Sequence, residues 1–213
     1  MKKKELVDIL KPPNFSKSGT VKTREEAYKN GDWLGTFNLW IVQDDPVPAI
    51  IYQQRSYQSI WAPGKLAVTA GGHYLAGENI KDGLRETQEE LGKKYSFKEL
   101  TFLGRRIYVG YDSNKNEKRN IVDIFIVKDN SSITAFKPDT KEVSSLSPCS
   151  IKDLVKMYSI KNYSFMAQAF FSDGSRKKIK INKNSFPYNW DNYHEKMVFL
   201  AKRFLDGEKY LYY

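Results

Sequence analysis

From Trp33 to Gln43 the chain reads WLGTFNLWIVQ, where Phe37, Leu39 and Ile41 alternate with Asn38, Trp40 and Val42, so that both parities are largely apolar. Successive strand side chains point to opposite faces, and this pattern predicts a strand buried on both sides. Asp45-Pro46 and Pro48 then turn the chain, and Ala49 to Gln53 returns as a second strand ending at Gln54-Arg55-Ser56. Pro63-Gly64 leads to a short strand from Lys65 to Thr69. Glu99 to Val109 alternates as a further strand, Gly110 to Asn116 is a polar loop, and Ile121 to Val127 is nearly all β-branched or aromatic, the strongest strand pattern in the chain. Phe165 to Phe171 fits strand and helix equally. Arg176 to Ile181 alternates with lysines outward, as an edge strand does, and Tyr193, Met197, Leu200, Ala201 and Phe204 form the apolar stripe of a last helix stopped at Gly207. Residues 1–30 are polar: Pro12-Pro13 and Lys17-Ser18-Gly19 signal turns, and Thr23-Arg24-Glu25-Glu26-Ala27-Tyr28 reads as a capped short helix within an N-terminal arm.

Between these strands lies GGHYLAGENIKDGLRETQEELGK, residues 71–93. Glu86, Glu89 and Glu90 fall at i, i+3 and i+4, so a helix gathers them on one face, with Ile80, Leu84 and Leu91 on the other. Three like charges side by side are unfavourable unless a cation offsets them, and oxygen ligands suit a hard ion such as Mg²⁺, with Mn²⁺ as a substitute. A solvated acidic face is the competing reading. Asn79 is placed to cap the helix, Asp82 lies in its first turn and Gly92 is placed to end it, while Gly71, Gly72 and Gly77 mark a loop with unusual backbone angles.

The whole string resembles the signature of the Nudix hydrolases: a glycine, five residues, a glutamate, seven residues, then Arg-Glu-hydrophobic-x-Glu-Glu-x-Gly-hydrophobic. Here Gly72, Glu78 and Arg85-Glu86-Thr87-Gln88-Glu89-Glu90-Leu91-Gly92 occupy those positions, with six residues instead of seven between Glu78 and Arg85, and with Thr87 and Lys93 where an aliphatic residue is usual. Over residues 5–130 the order of arm, GDWLGTFNLWIV, a strand ending QQRS and WAPGKLAVTAGGHYLAGE looks like the subgroup related to isopentenyl-diphosphate isomerase. The resemblance implies an α/β fold, an α/β/α sandwich around a mixed β-sheet. It divides the chain into the arm (1–30), a Nudix domain (31–160, closed by a strand from Glu142 to Ser150 and a short helix from Ile151) and a C-terminal extension (161–213) packed on the same domain and carrying the last helix.

It also implies a site. Glu86, Glu89, Glu90 and Glu78 would hold the metal, and Arg85 would fix a carboxylate through a charge-assisted hydrogen bond; Arg85, Glu86, Glu89 and Glu90 form the catalytic set. Arg55, Lys65 and His73, in the stretch that lines the pocket of the subgroup, are candidates for contacting phosphate or a leaving group. Each also has an ordinary reading as a solvated charge or a hydrogen-bonded side chain. Where many members carry a glutamate at the start of the strongest strand, this chain has Asn120, with Glu117 three residues earlier; an asparagine cannot take a proton, so the general base falls to a helix glutamate or to Glu117.

Bulk properties narrow the function. The 213 residues, 40% hydrophobic with 14 Tyr, 12 Phe and 4 Trp, suffice for a substantial core. No run of 18 apolar residues occurs, the apolar part of MKKKELVDIL is too short for a signal peptide, and a lone Cys149 with two histidines excludes an internal disulfide and a cysteine-rich zinc site. A cytoplasmic protein without a membrane partner is expected. The charge of +10 favours polyanionic ligands. The leading expectation is hydrolysis of a diphosphate linkage in a small-molecule, nucleotide-type substrate. Nucleic acid is compatible with the charge but less favoured, and oligomeric state is open. A non-catalytic nucleotide or RNA sensor is the alternative. Isomerase chemistry stands lower, because the isomerases use a pocket cysteine just before the motif and a histidine-rich metal site, and neither is present here. Trp33, Trp40, Trp61 and Tyr74 offer stacking surfaces for a base, or core.

Overall fold

A computed structural model describes residues 5–112, 115–188 and 190–213; residues 1–4 of the arm and Ser113 and Asn114 of the polar loop lie outside the described residues. The doubly apolar pattern becomes the central strand β3 (Trp33–Gln43), which pairs with four others. It runs antiparallel to β1 (Leu6–Lys11), β4 (Ala49–Arg55) and β6 (Ala70–His73), and parallel to β8 (Glu117–Lys128). Beyond β4 the sheet continues through β9 (Val143–Ser150) and β10 (Phe165–Phe171) to the edge strand β11 (Arg176–Ile181). The stub β5 (Leu66–Ala67) pairs with β4, β7 (Thr101–Tyr111) with β8, and β2 (Ser16–Thr23) with β1. The sheet is therefore mixed.

Alternation assigns each side chain of β3 to a face. Phe37, Leu39 and Ile41 join Ile51, Phe125 and Leu91 in one core, under helix α2 (Arg85–Leu91). Trp40 and Val42 join Ile50, Tyr52, Ile124 and Ile126 in the other, covered by α3 (Ile151–Ser159) and α4 (Tyr193–Leu205). Helices on both faces of a sheet make the α/β/α sandwich, and a strand between two helical layers has to be apolar on both parities. Among the described residues no helix is long and apolar enough to cross a membrane.

The polar first residues hold more structure than their composition suggests. β1 and β2 form a hairpin, and Val7 and Ile9 pack with Ala27, Tyr28 and Leu34 in a third small core. The short helix α1 (Arg24–Lys29) carries the capping box read from sequence, with Thr23 and Glu26 bonding each other's backbone amides. The undecided segment 165–171 is strand, because its backbone pairs on one side with β9 and on the other with β11.

Candidate functional site

The loop before α2 sits under the hairpin. The Leu6 carbonyl accepts from the Ala76 amide (2.8 Å), Asp8 accepts from the Gly77 amide (2.9 Å), and the Lys17 ammonium donates to the Glu78 carbonyl (2.7 Å). Of the three glycines expected to need unusual backbone angles, Gly77 alone has a positive φ, 89°. Gly71 and Gly72 lie in β6, where the constraint is space. A Cβ on Gly72 would stand 2.3 Å from the Glu86 carboxylate, and one on Gly71 would stand 2.6 Å from the Phe37 carbonyl oxygen. Glycine there lets α2 lay its carboxylates against the strand.

The helix starts later than its spacing predicts. Asp82–Leu84 form a 3-10 turn, and Asp82 accepts from the Asn79 amide (2.8 Å), so Asn79 caps no α-helix. Its end is as expected, with Gly92 left-handed (φ 64°) and its amide returned to Gln88. The three carboxylates do not share one environment: Glu86 and Glu90, four residues apart, are buried against β6, and Glu89 is exposed. Thr87, where an aliphatic side chain is usual, is buried with its hydroxyl 2.8 Å from the Leu84 carbonyl and 3.0 Å from that of Lys93.

Arg85 spans the acids. Its Nε donates to Glu78 (2.9 Å), one terminal nitrogen to Glu86 (2.9 Å) and the other to Glu89 (2.5 Å), and it also reaches the His73 carbonyl (3.2 Å). Burial opposes its charge, yet Glu78, Glu86 and Glu89 raise its pKa above the ordinary guanidinium value. Glu78 is occupied on both oxygens, since it also accepts from the Leu75 amide (2.7 Å). Glu90 accepts from the Gly71 amide (2.9 Å) and from Gln53 Nε2 (3.4 Å). Burial, together with the Glu86 and Glu142 charges, pushes the Glu90 carboxyl up to about 8. Burial, aided by Glu89 and Glu142, brings Glu86 to about 7 against the pull of Arg85.

This donor set fits a divalent cation in chemistry: carboxylate oxygens in excess of nearby cations, two of them buried together and resisting ionisation. Glu86, Glu89 and Glu90 would be its holders. As the side chains stand, with Arg85 among them, no three acidic, histidine or cysteine groups converge to hold an ion among the described residues.

Of the candidate contact residues, Arg55 at the end of β4 feels the Glu90 and Glu142 charges, although burial leaves its pKa below the ordinary value. It donates to the Trp61 carbonyl (2.9 Å), and its guanidinium lies 5.3 Å from the Trp61 ring. Lys65 points elsewhere, donating to the Asn184 carbonyl (2.6 Å). His73 is held by the Tyr28 hydroxyl at its Nε2 (2.5 Å), and burial, with Arg24 and Lys118 nearby, keeps its pKa well below the ordinary histidine value. The same hydroxyl reaches Asn120 (3.4 Å), which is buried. Glu117 is paired with Arg119 (2.8 Å).

Two residues escaped the sequence reading. Glu142, just before β9, adds its charge to Glu86, Glu90 and Arg55 from outside the helix. Lys118 places its ammonium 5.2 Å from the Tyr28 ring and 5.0 Å from the Trp61 ring; burial, with Arg55 and Arg24 nearby, lowers its pKa to about 8. Nothing local marks either residue, because both are brought to the site by strand pairing.

A model described as the NUDIX domain matches residues 36–169. The chain belongs to the Nudix family. An uncharacterised Nudix hydrolase of Clostridium acetobutylicum is 30% identical over 178 residues, covering 81% of this chain and 86% of its own. Nudix hydrolase 3 of Arabidopsis thaliana is 29% identical over 91 residues, which is 42% of this chain and 12% of that one. Among solved structures, DR0079 of Deinococcus radiodurans has a TM-score of 0.52 at 15% identity, covering 74% of this chain and 90% of its own. A MutT protein of Methanosarcina mazei has the same TM-score, 0.52, at 17% identity, covering 83% and 96%. At such identities the two structures speak for the Nudix fold alone.

Proposed function

We propose that this Nudix chain hydrolyses a diphosphate linkage in a nucleoside diphosphate derivative or related pyrophosphate, with Mg²⁺, or Mn²⁺ in its place, as cofactor. The observation that carries this reading is the buried pair Glu86 and Glu90, laid against Gly71 and Gly72 and short of neutralising charge. A divalent ion bound there supplies a more acidic water and offsets the charge of diphosphate oxygens. Glu86, Glu89 and Glu90 hold it. Arg85 is a positioning residue, tying Glu86 to Glu78 and so to the loop. Arg55 and Lys118 face the substrate's phosphate oxygens. Asn120 cannot take a proton, and Glu117 is engaged with Arg119, so the general base in this reading is Glu142, whose carboxylate is felt at both buried glutamates.

Isomerase chemistry finds no support in the side chains. Cys149 is buried in the core beneath α3 and α4, on the sheet face away from α2, and His194 belongs to α4. The matches to known proteins support the Nudix family and not the isomerase-related subgroup expected from the sequence.

The test is release of phosphate and nucleotide from a panel of nucleoside diphosphates, triphosphates and diphosphate-linked metabolites with Mg²⁺, comparing the native chain with Glu89→Gln and Glu142→Gln. Metal-dependent turnover that collapses in Glu89→Gln, and whose kcat falls about 100-fold in Glu142→Gln with KM little changed, is the expected result. Absent turnover on every member, with calorimetric binding retained, moves the reading to a nucleotide sensor and makes Asn120 its cause.

A further inference from the structure

Past Trp61 the surface opens into a groove of about 490 Å³, walled by Trp61, Lys65, Tyr108, Tyr111, Tyr188 and Trp190. Three of these aromatics stand in water: Tyr111 is 67% exposed, Tyr188 90% and Trp190 62%. Large apolar side chains gathered on one exposed patch mark a binding surface more often than a structural one. The walls are fixed from behind. Asp191, next to Trp190, accepts two hydrogen bonds from Arg106 (2.6 and 2.8 Å) and one from the Tyr213 hydroxyl (2.8 Å), and the Arg106 guanidinium lies 4.8 Å from the Tyr108 ring. On the opposite side the Lys65 ammonium is tied to the Asn184 carbonyl (2.6 Å).

Charge says what lies between groove and helix. Arg55 and Lys118 both approach the Trp61 ring, at 5.3 and 5.0 Å, and among the described residues the Lys118 ammonium has no hydrogen-bonding or ion-pairing partner. A cation half-buried between two aromatic rings, which feels the Asp112 charge but is in direct ion pair with no carboxylate among the described residues, is a place for an anion from outside the chain. Arg55 lies two residues along β4 from Gln53, which donates to Glu90 (3.4 Å), so the anionic position adjoins the carboxylate helix. A ligand meeting both demands has a flat apolar ring at one end and phosphate next to it. A flexible lipid chain would call for an enclosed apolar cavity, and a bare diphosphate would leave the aromatic walls unused.

We propose that this groove is the subsite for the nucleobase of a nucleoside diphosphate, stacked on Trp190 and Tyr188, with Lys118 taking the phosphate beside it. The proposal deepens the hydrolase reading and rests on it for where the cleaved diphosphate lies. Losing a stacked ring contact costs roughly tenfold or more in affinity.

Two non-hydrolysable probes that differ only by adenosine separate the parts: α,β-methylene-ADP and methylenediphosphonate, titrated by calorimetry into the full chain with Mg²⁺. The native protein is expected to bind the nucleotide at least tenfold more tightly. Trp190→Ala with Tyr188→Ala removes that margin while leaving methylenediphosphonate unchanged, Trp190→Phe retains it, and Lys118→Met weakens both probes. The two walls are exposed, so an unchanged thermal melt is expected to accompany the double variant. Equal affinity of the native chain for the two probes overturns the proposal, as does a margin that survives the double variant. So does a self-association that the double variant abolishes without any change in nucleotide affinity. Failure of the hydrolase reading looks different: no turnover on the panel, with the adenosine margin and its loss in the double variant intact.

Discussion

Two arginines stand at two buried charge clusters in this molecule, and the contrast between them separates architecture from chemistry. Arg106 on β7 meets Asp191 through two parallel hydrogen bonds, both side chains less than a tenth exposed, with the Tyr193 ring 4.1 Å from the guanidinium. Asp191 stays ionised, since bonds from Arg106 and Tyr213 lower its pKa in spite of burial. Arg85 is instead shared among Glu78, Glu86 and Glu89, and Glu90 lies beyond them with a carboxyl pushed up to about 8. The first cluster is complete within the chain. The second carries an excess of negative charge that folding alone does not reward, and the divalent ion of the proposed function would offset it.

Removing one acid is expected to have opposite consequences in the two places. Asp191→Ala strands a buried guanidinium and releases the Tyr213 hydroxyl, and is expected to cost about 3–5 kcal/mol in a urea unfolding series. Destabilisation of under about 1 kcal/mol would show that the pair is not the anchor its geometry implies.

Glu90→Gln is expected to lower turnover on whichever substrate the panel identifies by about 100-fold or more, and at the same time to stabilise the metal-free chain. The pH dependence gives the sign. The Glu90 pKa rises from an ordinary 4.5 to about 8 in the fold, so the native state holds a proton that the unfolded state has lost. Its contribution to stability is therefore complete below about pH 4.5 and is lost as pH rises to about 8, on the order of 1.4 kcal/mol for each unit of that window. Glu86 adds a similar loss ending near its own value of about 7. Thermal melts of metal-free protein should fall from pH 5 to pH 8, fall less in Glu90→Gln, and be restored at pH 8 by Mg²⁺. A native melt that is flat with pH, or indifferent to Mg²⁺, would erase the distinction between the clusters.

Much of the frame behind this contrast is local and could be read from the chain. The two apolar parities of β3 sort into the two cores residue by residue, and the acid spacing in α2 is a property of seven consecutive residues. What escaped depends on distance along the chain. The hairpin β1–β2 is mostly exposed, and only Val7 and Ile9 of its residues are buried, so composition reads it as a polar arm. The segment FMAQAFF is settled as strand by neighbours on both sides and not by its own periodicity. Gly71 and Gly72 read as loop glycines until Glu86 and Phe37 are placed against them. Glu142 and Lys118 reach the site through β4–β9 and β7–β8 pairing, which no nearby spacing announces.

The smallest effect tests whether every inward polar group of α2 belongs to the charged cluster. Thr87 is as buried as Glu90 and lies between it and Glu86 in sequence, yet its hydroxyl serves only the Leu84 and Lys93 carbonyls at the two ends of the helix. Thr87→Val keeps the shape and removes one hydrogen bond, so a loss of about 1 kcal/mol in stability is expected, with kcat and KM within about twofold of native. An activity loss of tenfold at unchanged stability would mean that the seating of this helix is itself tuned for the reaction. In that case the charge surplus of Glu86 and Glu90 could not be considered apart from the neutral residue between them.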